Sequence, residues 1–290
     1  MPPALILTAA VLSVSTGAVF FRLSEAPALA AAFWRPCIAT LFFLPFALRA
    51  ARGMNPRLWF IGLPGGFFLA VHFAAWIASL EYTTVAASVV LVTTTPIWTA
   101  LIAPRITGDR ISSRAAIGIA IAFVGAVIVG LGDFSATPRA LLGNGLAIIG
   151  AVTATGYMLA GRLRIGLVPV PVYLVSLYGT AAFFGALFAV ASGAPLVGYS
   201  ANTMLYLGLL ALFPQIIGHS SYNLALRTLP AQTVSACLLG EPILSALLAW
   251  IVLSEPVTAV TFVGGAIVLT GLYFAVVGAL PKTAKMSSDG

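Results

Sequence analysis

Ten stretches of about twenty mainly apolar residues, separated by short polar gaps, take up almost the whole chain. Each matches the length of helix that crosses the ~30 Å hydrocarbon core of a bilayer. They run approximately over 3–21, 29–48, 58–80, 84–104, 113–131, 141–161, 171–192, 203–225, 231–252 and 257–278. A helix closes its own backbone hydrogen bonds, which lipid cannot do for it. A membrane barrel would instead show alternating segments of about ten residues, and the chain lacks that rhythm. Composition agrees: of 290 residues 61% are hydrophobic and 7% charged, against about 25% charged in soluble domains. The expected fold is an all-α membrane protein of ten transmembrane helices. No gap is long enough for a soluble domain, and the polar end over 281–290 reads as a tail.

The gaps carry turn and charge signals: Arg52-Gly-Met-Asn-Pro56, Thr107-Gly-Asp-Arg110, Gly132-Asp-Phe-Ser135 and Ser192-Gly-Ala-Pro195. Ala28-Leu29-Ala30 has the look of a signal-peptide cleavage site. The stretch before it has no basic start and too long an apolar run, so retention of the first helix is expected. With the N-terminus on the cytoplasmic side, eleven basic residues fall in inside gaps: Arg49, Arg52, Arg57, Arg105, Arg110, Arg114, Arg162, Arg164, Arg227, Lys282 and Lys285. Two, Arg22 and Arg139, fall outside, and Arg35 lies within a helix. This asymmetry predicts that both termini are cytoplasmic. It also accounts for the net charge of +7 without nucleic acid, for which no basic run or recognition motif is present. Cys37 and Cys237 sit apart in apolar stretches and read as packing residues, with neither disulfide nor metal site expected.

The two halves of the chain repeat at an offset of 146 residues. Phe60-Ile-Gly-Leu63 aligns with Tyr206-Leu-Gly-Leu209, Pro96 with Pro242 and Asp109 with Glu255. Gly118, Gly125 and Gly132 align with Gly264, Gly271 and Gly278. Earlier in the halves the register drifts, and Arg22-Leu23 matches Arg162-Leu163 at an offset of 140. A unit of five helices is odd-numbered, so its copy enters the membrane from the opposite face. Two inverted five-helix repeats are therefore expected, over 3–132 and 141–278. Inverted repeats are a hallmark of secondary transporters, with a site near the midplane between them. The glycines of helices five and ten, with Ala122 and Ala126, form small-residue stripes that suit close helix packing, and these two helices read as scaffold.

Thr95-Pro-Ile-Trp98 and Glu241-Pro-Ile-Leu-Ser-Ala-Leu247, continuing to Trp250 and Glu255, resemble the paired signature of the drug/metabolite transporter superfamily, EamA branch. Arg35, in Phe33-Trp34-Arg35, resembles the arginine that branch carries in its second helix. The first-half signature departs from the pattern in ending Ile106-Thr-Gly-Asp109, with Arg105 beside it. The resemblance implies two EamA repeats, a bacterial inner-membrane location and export of small metabolites such as amino acids. Aromatic-amino-acid exporters are the members it most resembles.

Polar side chains in hydrocarbon are costly, so each needs a role. Glu241 is the one carboxylate near a helix centre. Pro242 beside it frees a carbonyl about a turn earlier, so Glu241 can carry a proton or bind an amine, or serve as a structural acid. His72, Trp76 and Ser79 share a face of helix three, and Gln215, His219, Tyr222 and Asn223 a face of helix eight; both stripes are expected to face a cavity. Ser88, Thr95, Trp98 and Thr99 mark one side of helix four, and Thr155, Tyr157 and Met158 lie on helix six. Aromatic walls suit planar or amphipathic solutes. The expected cavity residues are His72, Trp76, Ser88, Thr95, Trp98, Thr155, Tyr157, Gln215, His219, Tyr222, Asn223 and Glu241, between helices one, three, four, six, eight and nine. Arg35 is expected to snorkel outward or pair with an outer acid, rather than to bind a solute carboxylate.

No phosphate-cradling loop, zinc-protease motif or nucleophile elbow is present, so neither an ATP-driven pump nor a hydrolase within this chain is expected, and no cofactor is implied. The expected function is secondary transport of small amphipathic solutes, most concretely export of amino acids. A membrane enzyme acting on lipid-linked substrates, or a channel or non-transporting subunit, are the alternatives. The driving force is left open between a proton, exchange and facilitated diffusion.

Overall fold

The computed structural model describes residues 3–107, 112–134 and 137–279. Asp109, Arg110 and the tail over 281–290 lie outside the described residues. Fourteen α-helices follow one another among the described residues, with no strand. The first rod is α1 (Pro3–Val14) and α2 (Gly17–Ser24), and the second is α3 (Ala28–Ala50). The third is a 3-10 turn, Pro56–Phe60, running into α4 (Leu63–Ser79). The fourth is α5 (Val85–Val92) and α6 (Thr95–Thr107), and the fifth α7 (Ser113–Phe134). Then come α8 (Pro138–Arg164) and α9 (Val170–Ala191). The eighth rod joins α10 (Ala201–Leu210) to α11 (Ser220–Leu226) through a π-helical segment, Ala211–His219. The ninth joins α12 (Ala231–Ala236) to α13 (Glu241–Leu253) through a 3-10 turn, Cys237–Gly240, and the tenth is α14 (Ala259–Ala279).

Eight of these rods are long and apolar enough to cross a membrane; α7 and α14 hold shorter apolar stretches, Ala116–Ile128 and Ala259–Gly271. Their surface is the reverse of a soluble protein's. Phe183 and Phe60 are about two-thirds exposed, at 66% and 65%, while Arg35 and Gln215 are 1% and 0% exposed. Apolar side chains outward and polar ones inward is the arrangement that hydrocarbon selects.

The breaks within rods follow from local chemistry. Pro96 has no N–H for the Val92 carbonyl, and the Thr95 hydroxyl donates to that carbonyl instead at 2.8 Å. Thr93 and Thr94 likewise donate to the carbonyls of Val90 and Leu91, at 3.0 and 2.7 Å. Pro242 does the same to Leu238, whose carbonyl accepts from the Glu241 N–H. In the first rod, Ser15 and Thr16 donate to Val11 and Ser13, and Ser245 on α13 donates to the Ser15 carbonyl at 3.0 Å. Each freed carbonyl thus finds a donor within protein, the condition for irregular backbone at membrane depth.

Pairing between rods is reciprocal. α3 lies along α9, and α7 along α14. α4 packs on α8, and five rods on, the π segment and α10–α11 pack on α1 and α2. α5 and α6 touch α8, and α13 and the turn before it touch α1 and α2. The α7–α14 contact is the tightest. A Cβ on Gly125 would lie 2.5 Å from the Val268 nitrogen, and one on Gly271 would run into the backbone of Ala122 and Gly118.

At one end of the bundle, polar side chains tie connections together. Arg22 Nη2 donates to the Thr83 carbonyl at 3.1 Å, and Arg139 Nη2 to the Glu81 carbonyl at 2.8 Å. The Glu81 carboxylate accepts from the Ala28 N–H at 3.0 Å, and that of Glu255 from the Val85 N–H at 2.8 Å. At the other end, Arg162 Nη1 donates to the carbonyls of Leu226 and Arg227, at 3.0 and 3.2 Å.

Candidate functional site

The broken rods meet around one small closed cavity in the middle of the bundle. The breaks supply Val14 from the first rod, Val92, Thr93 and Thr95 from the fourth, and Leu238 and Glu241 from the ninth. α4 adds His72 and Trp76, α8 adds Ala154, Tyr157 and Met158, the eighth rod adds His219 and Tyr222, and α3 adds Arg35. The cavity leaves about 40 Å³ for water centres. At least about 10–15 Å³ is needed to hold one water, so this conformation has room for a few waters and no metabolite.

Seven of the twelve expected residues line it: His72, Trp76, Thr95, Tyr157, His219, Tyr222 and Glu241. Two stand directly behind it. Gln215 Oε1 accepts from Arg35 Nε at 2.7 Å, and Asn223 Nδ2 donates to the Tyr157 hydroxyl at 2.8 Å. Three do not line it. Thr155 is buried between α6 and α8, exchanging hydrogen bonds with Thr99 and the Thr95 carbonyl. Ser88 pairs with Ser79 at 2.6 Å, joining α5 to α4. Trp98 is only half-buried, and its indole N–H donates to Thr94 within its own rod. Thr95 and Trp98 both lie on α6, and of the two only Thr95, at its first position, reaches the cavity wall.

Arg35 corrects the expectation of outward snorkelling. Its guanidinium turns inward, 4.2 Å from the centre of the Phe73 ring and 5.8 Å from that of Trp76. The electron-rich ring faces hold the cation where water does not, and the Gln215 amide oxygen fixes its Nε. The sequence signal was present but split: an intramembrane Arg and an intramembrane Gln, 180 positions apart. Of the six rods expected to border the cavity all contribute, and the second joins them through this one residue.

The histidines carry the repeat into the site. Their ring centres lie 6.1 Å apart, with Phe73 packed on both. His72 Nδ1 faces the Gly150 carbonyl at 2.9 Å and therefore carries the hydrogen. His72 also stacks on Trp76 at 4° between planes. The result is an aromatic chamber holding one guanidinium and one carboxylate. No cluster of three or more His, Cys, Asp or Glu able to hold a metal occurs among the described residues.

The sequence model of the EamA-like transporter family matches residues 1–131 and 141–277. Among curated relatives, an uncharacterized transporter, YetK, of Bacillus subtilis strain 168 is 28% identical over 208 residues. That match covers 68% of this chain and 62% of the relative, so the chain spans under two-thirds of the Bacillus protein's length. An uncharacterized transporter of Clostridium kluyveri is 23% identical over 253 residues, covering 81% of this chain and 78% of its own. A solved structure, described only as a crystal structure of a protein, superposes with a TM-score of 0.70. At 21% identity it covers 95% of this chain and 96% of its own, and it carries the fold alone.

Proposed function

Because this chain belongs to the EamA-like transporter family, within the drug/metabolite transporter superfamily, we propose that it exports small amphipathic metabolites, amino acids first among them, across a bacterial inner membrane. It is a multi-pass membrane protein and a transporter rather than an enzyme. The observation that carries the reading is the closed, charged, aromatic cavity where three broken rods meet. A soluble ligand leaves such a chamber only if one set of helices moves against another.

The proposed scheme is alternating access between two inverted five-helix repeats, over 3–132 and 141–278, with both termini cytoplasmic. The reciprocal pairing of rods five apart supports the inverted repeat. The alternation of the gaps between two faces is supported by who meets whom at the bundle ends. Arg22, Glu81, Arg139 and Glu255, all from gaps assigned outside, come together, and Arg162 joins Leu226 and Arg227, all assigned inside. Glu241, His72, Trp76, Tyr157, His219 and Tyr222 are proposed to contact solute, with Gln215 and Asn223 positioning their neighbours. Ser88, Thr95 and Thr155 then shape the walls, and Trp98 stands outside the contact set.

Purified protein in liposomes preloaded with unlabelled amino acids should accumulate the labelled species by counterflow, saturably. Flux without saturation or counterflow would instead describe a channel, and no flux of any amino acid would remove the substrate assignment.

A further inference from the structure

Of the ten buried side-chain polar atoms without a hydrogen-bond partner among the described residues, four belong to residues lining the central cavity: Arg35 Nη1, Trp76 Nε1, His219 Nδ1 and Tyr222 Oη. Buried polar atoms are ordinarily paired, and unpaired ones call for an explanation. Their chemistry is lopsided. A guanidinium nitrogen and an indole nitrogen can only donate, and a phenol can donate. Three of the four are donors without an acceptor, and no hydrogen bond joins them to Glu241, the carboxylate that lines the same cavity. Arg35 has no hydrogen-bonded negative partner: its Nε is spent on the neutral amide of Gln215 and its guanidinium carbon lies 4.2 Å from the centre of the Phe73 ring. Water would supply acceptors but no charge. A carboxylate supplies both, in a geometry that a guanidinium and a neighbouring N–H can share.

Resting on the transporter reading above, we propose that the solute is held by its carboxylate, which accepts from Arg35 Nη1 and Trp76 Nε1, while its ammonium group meets Glu241 across the same cavity. The substrate class is then the α-amino acid with both termini free; α-amides, esters and decarboxylated amines are rejected. The side chain of the solute points into the aromatic wall of Tyr157, His219 and Tyr222, which explains how one clamp can serve planar and apolar residues alike. Loading requires the chamber to widen from its present volume. The apolar residues at the breaks, Val14, Val92 and Leu238, are the walls that would part.

The test compares a panel of L-amino acids with their α-amides and decarboxylated amines, read twice: by thermal stabilisation of the purified protein and by competition in counterflow. The proposal expects the acids to act at concentrations about 100-fold lower than either analogue, the scale for a buried charged contact left unpaired. In Trp76→Phe, which keeps the ring and loses the N–H, the acid-to-amide ratio should fall about tenfold; in Glu241→Gln the acid-to-amide ratio should persist while the preference for a free amine collapses. Arg35→Lys should lose the acid preference, and Trp76→Phe stands in for it should that variant not fold. Amides acting as well as acids on the parent protein, an unchanged ratio in folded Trp76→Phe, or no panel member acting in either assay would each overturn the clamp. Acid-selective stabilisation without counterflow would uphold the clamp and sink the transport reading instead.

Discussion

Glu241 and Trp98 are both cavity candidates by sequence, and the structure separates them. Glu241 heads α13 at the cavity wall, whereas Trp98 bonds to Thr94 beside it and leaves the wall to Thr95. Glu241→Gln removes the charge of the one carboxylate that lines the chamber among the described residues, so amino-acid counterflow should fall by at least about tenfold. Trp98→Ala should leave the rate within about twofold, with its cost confined to packing. Rates measured side by side at matched reconstitution check the pair; Trp98→Ala inactive with Glu241→Gln intact would reverse the assignment. The same contrast shows what residue-level reading can see. His72, Trp76, His219 and Tyr222 were legible because helical spacing put them on polar stripes. Arg35 was not, because its neighbours in sequence are the same whether it points to the headgroups or inward. Its direction is decided by Phe73 and Gln215, which sequence alone does not bring near it.

At the scale of helices, the breaks at Thr93–Thr94 and Cys237–Gly240 were legible because Pro96 and Pro242 mark them at equivalent places in the repeat. The break at Ser15–Thr16 was not, since hydroxyls bonded to carbonyls three or four residues back look the same in a straight helix, and Pro214 marks a disturbance in the eighth rod without telling that it is π-helical. The glycine stripes of α7 and α14 were legible for the same reason that they matter: only a residue without a Cβ lets backbones approach this closely. Gly125→Ala puts a methyl 2.5 Å from the Val268 nitrogen, and should destabilise the fold by about 1–3 kcal/mol, the usual cost of overpacking. Gly145 on α8 is the control, since nothing lies within 4 Å of the place its Cβ would occupy. There alanine should be neutral or stabilising by up to ~1 kcal/mol through helix propensity. Unfolding of both variants in the same denaturant series measures the difference.

Over the whole molecule, the proposed alternating access needs the end assigned outside to open, and one contact there joins the two halves of the chain. Ser254 adopts a left-handed conformation at φ 54°, ending α13 and turning Glu255 back over the bundle. Its carboxylate then accepts from the N–H of Val85, the first residue of α5, where a helix N-terminus favours negative charge. One half of the chain thereby caps a helix of the other, and in the proposed scheme outward opening breaks the bond. A hydrogen bond to a charged group contributes about 1.5–3 kcal/mol, so Glu255→Ala should raise the outward-open population by one to two orders of magnitude. A cysteine at Ser88, buried on α5 below this seal, provides the readout in a background with Cys37 and Cys237 replaced by alanine. Its labelling by a membrane-impermeant thiol reagent added outside should be slow with Glu255 present and at least about tenfold faster in Glu255→Ala. Glu255→Gln should fall between the two, because its amide oxygen still accepts from Val85 without the charge. Equal labelling in all three would mean that the seal lies elsewhere, and fast labelling from the opposite face alone would invert the assigned sidedness.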